Sequence, residues 1–141
     1  MSDERHTLPG NLDLQRRFEL GVEALDRGDA EGAAAAFAAA VSLATPGDDR
    51  TLAERAAYGA AEALLRLERD EEAFEYLEIA TGSADQELRF LALRRRAIEE
   101  VRRGDLALAL ATYRQAEGSA TTSGARAEVA SRIGWLIKET G

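Results

Sequence analysis

Apolar residues recur at intervals of three and four along most of the chain, which is the period of an amphipathic helix. The first such stretch carries Leu14, Phe18, Val22 and Leu25 and ends at Gly28-Asp29. Six further stretches follow it, and none shows the period of two that a half-buried strand requires. The pattern therefore predicts seven helices and an all-α fold.

Capping and turn residues predict where these helices begin and end. Single polar caps are expected at Asn11, Asp29 and Asp70. Two pairs have the form of a capping box, in which each side chain accepts from the other residue's amide, namely Thr51 with Glu54 and Ser83 with Gln86. Residues 118–124 predict a loop of small polar residues. The last helix is expected over residues 125–140, with Val129, Ile133, Leu136 and Ile137 facing inward.

The even-numbered helices share a pattern of a small, a large and a small residue. Alanine opens the pattern at Ala33, Ala73 and Ala109, a large residue follows at Phe37, Leu77 and Tyr113, and alanine returns at Ala40, Ala80 and Ala116. The pattern recurs after 40 and then 36 residues, the period range of stacked helical hairpins. Small residues let helices approach closely, and the large residue fills the gap between them. We therefore expect a solenoid of three hairpins.

In these features the chain resembles the tetratricopeptide repeat (TPR) family, whose repeats carry Leu-Gly in the first helix and Ala-x3-Phe in the second. The first repeat matches through Leu20-Gly21, the turn at Gly28-Asp29, Ala33, Phe37, Ala40 and a displaced Pro46. The second retains Ala61, Leu64, Ala73, Leu77 and Ala80, and the third Ala97, Gly104-Asp105, Ala109, Tyr113 and Ala116. The family's first-helix tryptophan and tyrosine are absent, so the repeats are degenerate. The resemblance implies a right-handed solenoid with a C-terminal capping helix.

The expected organisation is a flexible segment over residues 1–10 and a single domain over 11–141. The repeats are expected at about 12–46, 51–83 and 85–118. Residues 132–136 and 138–141 are also similar to the tail of soluble TPR regions that precede the membrane part of rhomboid-like intramembrane proteases. This leaves two alternatives open beside a free-standing module, namely an accessory domain that recruits substrate for a larger enzyme and an oligomerisation module.

Composition and charge exclude several classes of function. The chain has no cysteine, which excludes thiolate metal sites and thiol nucleophiles, and its one histidine, His6, lies in the charged N-terminal segment. A net charge of −8 argues against nucleic acid as a partner. No catalytic constellation, phosphate-binding loop or long apolar run is present. We therefore expect a non-enzymatic, cytoplasmic protein with no metal or cofactor.

The resemblance implies a binding groove along the concave side, which the first helix of each hairpin would line. Mapped onto this chain, the groove residues are Phe18, Val22, Arg55, Tyr58, Arg66, Arg94, Arg95, Ile98, Arg102, Arg132 and Trp135. Arginine forks and aromatic faces suit an extended acidic or acidic-aromatic peptide. The same residues could instead pack between helices and pair with surface glutamates. Trp135 points away from the predicted inner face and is a candidate either for this peptide or for a homodimer through the C-terminal helix.

Overall fold

The computed structural model describes the backbone of residues 10–141 and the side chains from Asp13 onward. Seven α-helices make up this part of the chain: α1 (Gly10–Asp26), α2 (Ala30–Leu43), α3 (Arg50–Arg66), α4 (Asp70–Thr81), α5 (Gln86–Arg102), α6 (Leu106–Ser119) and α7 (Ser123–Thr140). No strand occurs among the described residues, so the predicted all-α class is confirmed. The predicted flexible segment lies outside them except for Gly10, which begins α1.

The helix caps follow the prediction at some positions and correct it at others. The Asp29 carboxylate accepts a hydrogen bond from the Gly32 amide at 2.8 Å, and α4 begins at Asp70, both as predicted. Both predicted capping boxes are wrong. Asp49 caps α3 and Asp85 caps α5, each accepting from the backbone amide three residues later at 3.1 Å. The physical reason is that a carboxylate next to the positive end of the helix dipole is a stronger acceptor than a hydroxyl.

Three further boundaries differ from the prediction. Asn11 lies inside α1 because that helix already begins at Gly10. The predicted loop over 118–124 shortens to residues 120–122, since α6 continues through Ser119 and α7 begins at Ser123. Thr122 makes the short connection feasible because its hydroxyl accepts from the Ala125 amide at 3.0 Å and caps α7.

The chain forms two compact units, the first ending at Ile79 and the second beginning at Ala80. In both units the predicted small positions are closely packed. Ala33, Ala40, Ala73, Ala80, Ala109 and Ala116 are all fully buried. The large residues between them are buried as well, namely Phe37, Leu77 and Tyr113. The repeated pattern therefore marks the interior positions of α2, α4 and α6.

Phe37 of α2 holds the first unit together by lying between two glycines. A Cβ atom at Gly21 of α1 would lie 2.6 Å from the Phe37 ring, and one at Gly59 of α3 would lie 2.7 Å from it. Real Cβ atoms do not approach a ring this closely, so only glycine fits on either side. Phe18 adds an edge-to-face contact with Phe37, with ring centroids 5.6 Å apart. The ring thus sets the distance of α2 from both α1 and α3.

Three turns between helices place a residue in the left-handed region of backbone conformation. Gly28 has a φ of 78° and Gly104 a φ of 82°, and both begin the Gly-Asp turns that the sequence predicts. The corresponding residue between α3 and α4 is Glu68, with a φ of 59°. Because a Cβ atom makes this region unfavourable, the middle turn is the strained one.

The second unit packs α5, α6 and α7 around Tyr113. Its core also contains Phe90, Leu93, Ala97, Ala109, Ala116, Val129 and Leu136. The predicted inner face of α7 is right for Val129 and Leu136, which are buried and two turns apart. It is wrong for Ile137, which is 47% exposed, because the residue after Leu136 is rotated about 100° away from the core.

We expect Gly21→Ala and Gly59→Ala each to lower the free energy of unfolding by about 1–3 kcal/mol, since the added methyl group clashes with the Phe37 ring. Gly134→Ala is the matched control, because Gly134 is a mid-helix glycine of α7 with open space around its Cβ position. It should raise stability by roughly 0.5–1 kcal/mol. Urea unfolding followed by circular dichroism measures all three. Equal effects at the three glycines would contradict the close contact with Phe37.

Replacing Glu68 with glycine should stabilise the chain by roughly 0.5–1 kcal/mol, because glycine adopts a positive φ without a steric penalty. The reverse change at the equivalent turn, Gly28→Glu, should destabilise it by a similar amount. Thermal unfolding of the two variants and the parent provides the measurement. A loss of stability in the Glu68→Gly variant would show that the Glu68 side chain contributes more than its backbone strain costs.

Candidate binding site

A cavity of about 290 Å³ opens in the second unit. We call it the Tyr113 cavity, and its lining residues are Ile98, Val101, Arg102, Tyr113, Arg132 and Trp135. Four of these six, Ile98, Arg102, Arg132 and Trp135, are residues that the sequence predicts for the binding groove. The structure therefore brings together part of the predicted set at one place on the second unit.

Helical spacing explains why these side chains converge. Ile98, Val101 and Arg102 lie three and four residues apart on α5, so they share one face of that helix. Arg132 and Trp135 lie three residues apart on α7 and share a face in the same way. Tyr113 of α6 is the contribution that the sequence interpretation missed. The repeat pattern marks Tyr113 as a packing residue and carries no signal that space remains beside it.

The wall of the cavity is apolar and partly open to solvent. Ile98 and Val101 pack against the core of the second unit and are half-buried. Trp135 is 46% exposed, in agreement with its predicted position away from the inner face of α7. A large aromatic surface beside an apolar recess is the type of contact area that dominates binding energy at protein interfaces.

Tyr113 combines burial with an unused hydroxyl. The residue is only 2% exposed, and in the described part of the chain its hydroxyl has no hydrogen-bond partner. Burial raises the pKa of Tyr113 above its ordinary value. The charges of Arg132 and Arg94 act in the opposite direction, while Glu128 raises the pKa further. The hydroxyl therefore stays protonated at neutral pH and can donate a hydrogen bond.

The arginines at and near the cavity differ in what they already contact. Arg102 approaches Glu99 of its own helix, with Nη1 and Oε1 3.0 Å apart. Arg94 forms an ion pair with Glu128 at 3.1 Å and lies over the Phe90 ring, so it joins α5 to α7. Arg132 is exposed and forms no ion pair with any described residue. Of the two arginines that line the cavity, Arg132 is the one without an ion pair among the described residues.

The other predicted groove residues lie elsewhere. Phe18 packs on Phe37 and contributes to the contact between α1 and α2. Val22 is 38% exposed on α1. On α3, Arg55 and Arg66 are exposed and Tyr58 is half-buried. In the second unit, Arg94 and Arg95 lie on α5 but do not line the Tyr113 cavity.

A second cavity, of about 430 Å³, lies in the first unit around the turn between α2 and α3. Two of its three acidic residues, Asp48 and Asp49, already accept hydrogen bonds from nearby groups of the chain. The Asp48 carboxylate accepts hydrogen bonds from the Thr45 amide at 2.7 Å and the Thr45 hydroxyl at 3.1 Å, and Asp49 caps α3.

Across the described residues, no group of acidic or histidine side chains could hold a metal ion. None of the helices described has the length and apolar character needed to cross a membrane.

The raised pKa of Tyr113 predicts a distinct titration. The Tyr113 hydroxyl should ionise above about pH 10, the ordinary value for tyrosine, and Tyr113→Phe should remove a titration step above that pH. Because the folded state holds this proton more tightly than the unfolded state, the stability contributed by the neutral group is lost as pH rises above about 10. Ultraviolet absorbance of tyrosinate measures the titration. Removal of a titration step at or below the ordinary value for tyrosine would contradict the raised pKa of Tyr113.

Comparisons with known proteins give no further information about this site. No protein-family model matches the chain, and no curated protein matches it either. The geometry consists of one apolar cavity, an exposed tryptophan at its wall, and two groups without a polar partner among the described residues, the Arg132 guanidinium and the hydroxyl of the buried Tyr113.

Proposed function

We propose that the chain is a non-catalytic protein-interaction module built of degenerate TPR-like hairpins, and that it binds a segment of a partner protein at the Tyr113 cavity. The observation that carries the proposal is that four predicted groove residues line this one cavity. They come from α5, the first helix of the third predicted hairpin, and from α7, the predicted C-terminal capping helix. The proposal extends to a right-handed solenoid in which these helices line the concave side.

The openness of the cavity favours a protein segment over a small molecule. Small-molecule sites bury most of their ligand's surface, whereas here Trp135, Arg102 and Arg132 are all exposed. A partner chain covers such a wall more completely, because its backbone runs outside the recess while one side chain enters it. A volume of about 290 Å³ accommodates one large side chain.

The structure gives the predicted groove arginines Arg94 and Arg132 different roles in the proposal. Arg94 carries an ion pair between α5 and α7, so charge reversal at Arg94 would disturb the second unit itself. Arg132 is a better test of ligand binding because it has no ion-pair partner within the described residues. The proposal therefore places the principal positive charge at Arg132 and gives Arg94 a positioning role.

Trp135→Ala should weaken binding of peptides selected from a displayed random library against the full chain by about tenfold or more, since exposed aromatic anchors dominate interface energies. Ile137→Ala is the matched control. Ile137 is equally exposed on the same helix but does not line the cavity, so its removal should leave the affinity unchanged. Fluorescence anisotropy of the selected peptides measures both variants.

Two outcomes would contradict the proposal. If Trp135→Ala binds the selected peptides as tightly as the parent, the cavity is not the binding site. If no peptide is selected, and sedimentation shows concentration-dependent association that Ile137→Ala abolishes, α7 serves self-association instead. Circular dichroism of each variant confirms that helicity is retained.

A further inference from the structure

The Tyr113 cavity joins an apolar recess to two unused polar groups. Ile98, Val101 and Trp135 provide the apolar surface, whereas Arg132 has no ion-pair partner and the Tyr113 hydroxyl has no hydrogen bond among the described residues. Because Tyr113 lines the cavity, its hydroxyl can donate a hydrogen bond to an acceptor bound there. The recess therefore suits an apolar group of a ligand, and the two polar groups suit a hydrogen-bond acceptor of the same ligand.

Arg132 and the Tyr113 hydroxyl favour a negatively charged group in that ligand. Arginine and tyrosine both donate hydrogen bonds, and a carboxylate accepts from both at once. The surrounding charges do not already fill this role. Glu128, the acid of α7 whose charge acts on Tyr113, forms its ion pair with Arg94, and Glu99 lies beside Arg102. An incoming carboxylate therefore has Arg132 available to it.

The positions of Arg132 and Trp135 set the spacing within the ligand. Residues three apart on a helix have Cβ atoms about 5–6 Å apart. In an extended peptide, side chains two residues apart point to the same side and are about 6–7 Å apart. An apolar side chain in the recess and a carboxylate on Arg132 therefore match residues two apart in an extended segment.

We infer that the Tyr113 cavity recognises a two-part motif in a partner protein, a large apolar side chain with an Asp or Glu two residues away, the carboxylate lying on Arg132 within reach of the Tyr113 hydroxyl. This inference rests on the proposed function and names the chemistry of its ligand. The carboxylate belongs to a side chain and not to a chain terminus, because the exposed wall of the cavity lets the segment continue in both directions.

Synthetic peptides with blocked termini test the inference directly. The probes carry phenylalanine as the anchor and aspartate two residues before or after it, and each is paired with an asparagine counterpart and with an alanine-anchor counterpart. With the full-length chain, replacing aspartate by asparagine in the better-bound orientation should weaken binding about tenfold or more, the usual effect of losing a hydrogen bond to a charged group. Alanine in place of phenylalanine should abolish measurable binding.

Variants of the protein show which side chains cause the weaker binding of the asparagine peptide. Arg132→Gln should bind the aspartate and asparagine peptides equally, because the group that distinguishes them is gone. Tyr113→Phe, which keeps the ring, should reduce the preference for aspartate by a smaller factor. Arg126→Gln is the matched control, since Arg126 is an exposed arginine of α7 outside the cavity, and it should retain the full preference.

The inference is overturned if the parent binds the asparagine and aspartate peptides alike, or if Arg132→Gln keeps the preference. It also fails, while the proposed function stands, if library-selected peptides depend on Trp135 but carry no carboxylate at this spacing. If peptides bind but none depends on Trp135, the proposed function itself fails. A preference for free C-terminal peptides over blocked ones would assign the carboxylate to a chain terminus and overturn the side-chain motif.

Discussion

Close packing of one large side chain against the small residues of neighbouring helices controls how near the helices of this protein can lie. The Phe37 ring occupies the space between α1 and α3, and a single added methyl group at Gly21 or Gly59 would overlap it. Packed interiors have little room to absorb such an overlap, so the position of α2 follows from these contacts. The buried alanines of α2, α4 and α6 extend the same rule along the chain.

The same repeat position has a different outcome in the second unit. Tyr113 occupies the place of Phe37 and is almost as deeply buried, yet an open volume remains beside it where Ile98, Val101 and Trp135 line a cavity. Tight packing at Phe37 gives stability, whereas incomplete packing at Tyr113 leaves apolar surface and a hydroxyl without a hydrogen bond among the described residues, which we propose a partner contacts. The same position of the repeated pattern therefore stabilises the first unit through Phe37 and, in our proposal, forms part of a binding site in the second unit through Tyr113.

Local signals predict most of the fold. Helical periodicity identifies all seven helices of residues 10–141, and the Gly-Asp turns locate two of the three left-handed residues in that range. The capping boxes fail because the hydroxyl and carboxylate candidates are only two residues apart, and local sequence does not decide which one accepts. The residue type of Glu68 gives no signal for a left-handed conformation. Only the repeat register indicates it, because Glu68 lies five residues before Ala73, as Gly28 lies before Ala33 and Gly104 before Ala109.

The candidate site is only partly predictable for a different reason. Residues on one helix face, such as Ile98 with Arg102 and Arg132 with Trp135, follow from spacing alone. The ion pair that occupies Arg94 depends on Glu128, which lies 34 residues away in the chain. The space beside Tyr113 depends on how three helices meet, and no local pattern encodes the volume that they leave.

The single tryptophan makes one measurement decisive, because its indole N–H gives an isolated nuclear magnetic resonance signal. The account predicts that the Trp135 signal shifts progressively as a peptide with the apolar-acid motif is added to the full chain, and that it shifts much less with the asparagine counterpart at equal concentration. Saturable binding of the motif peptide with an unchanged Trp135 signal would contradict the account, because the peptide would then occupy a surface other than the Tyr113 cavity.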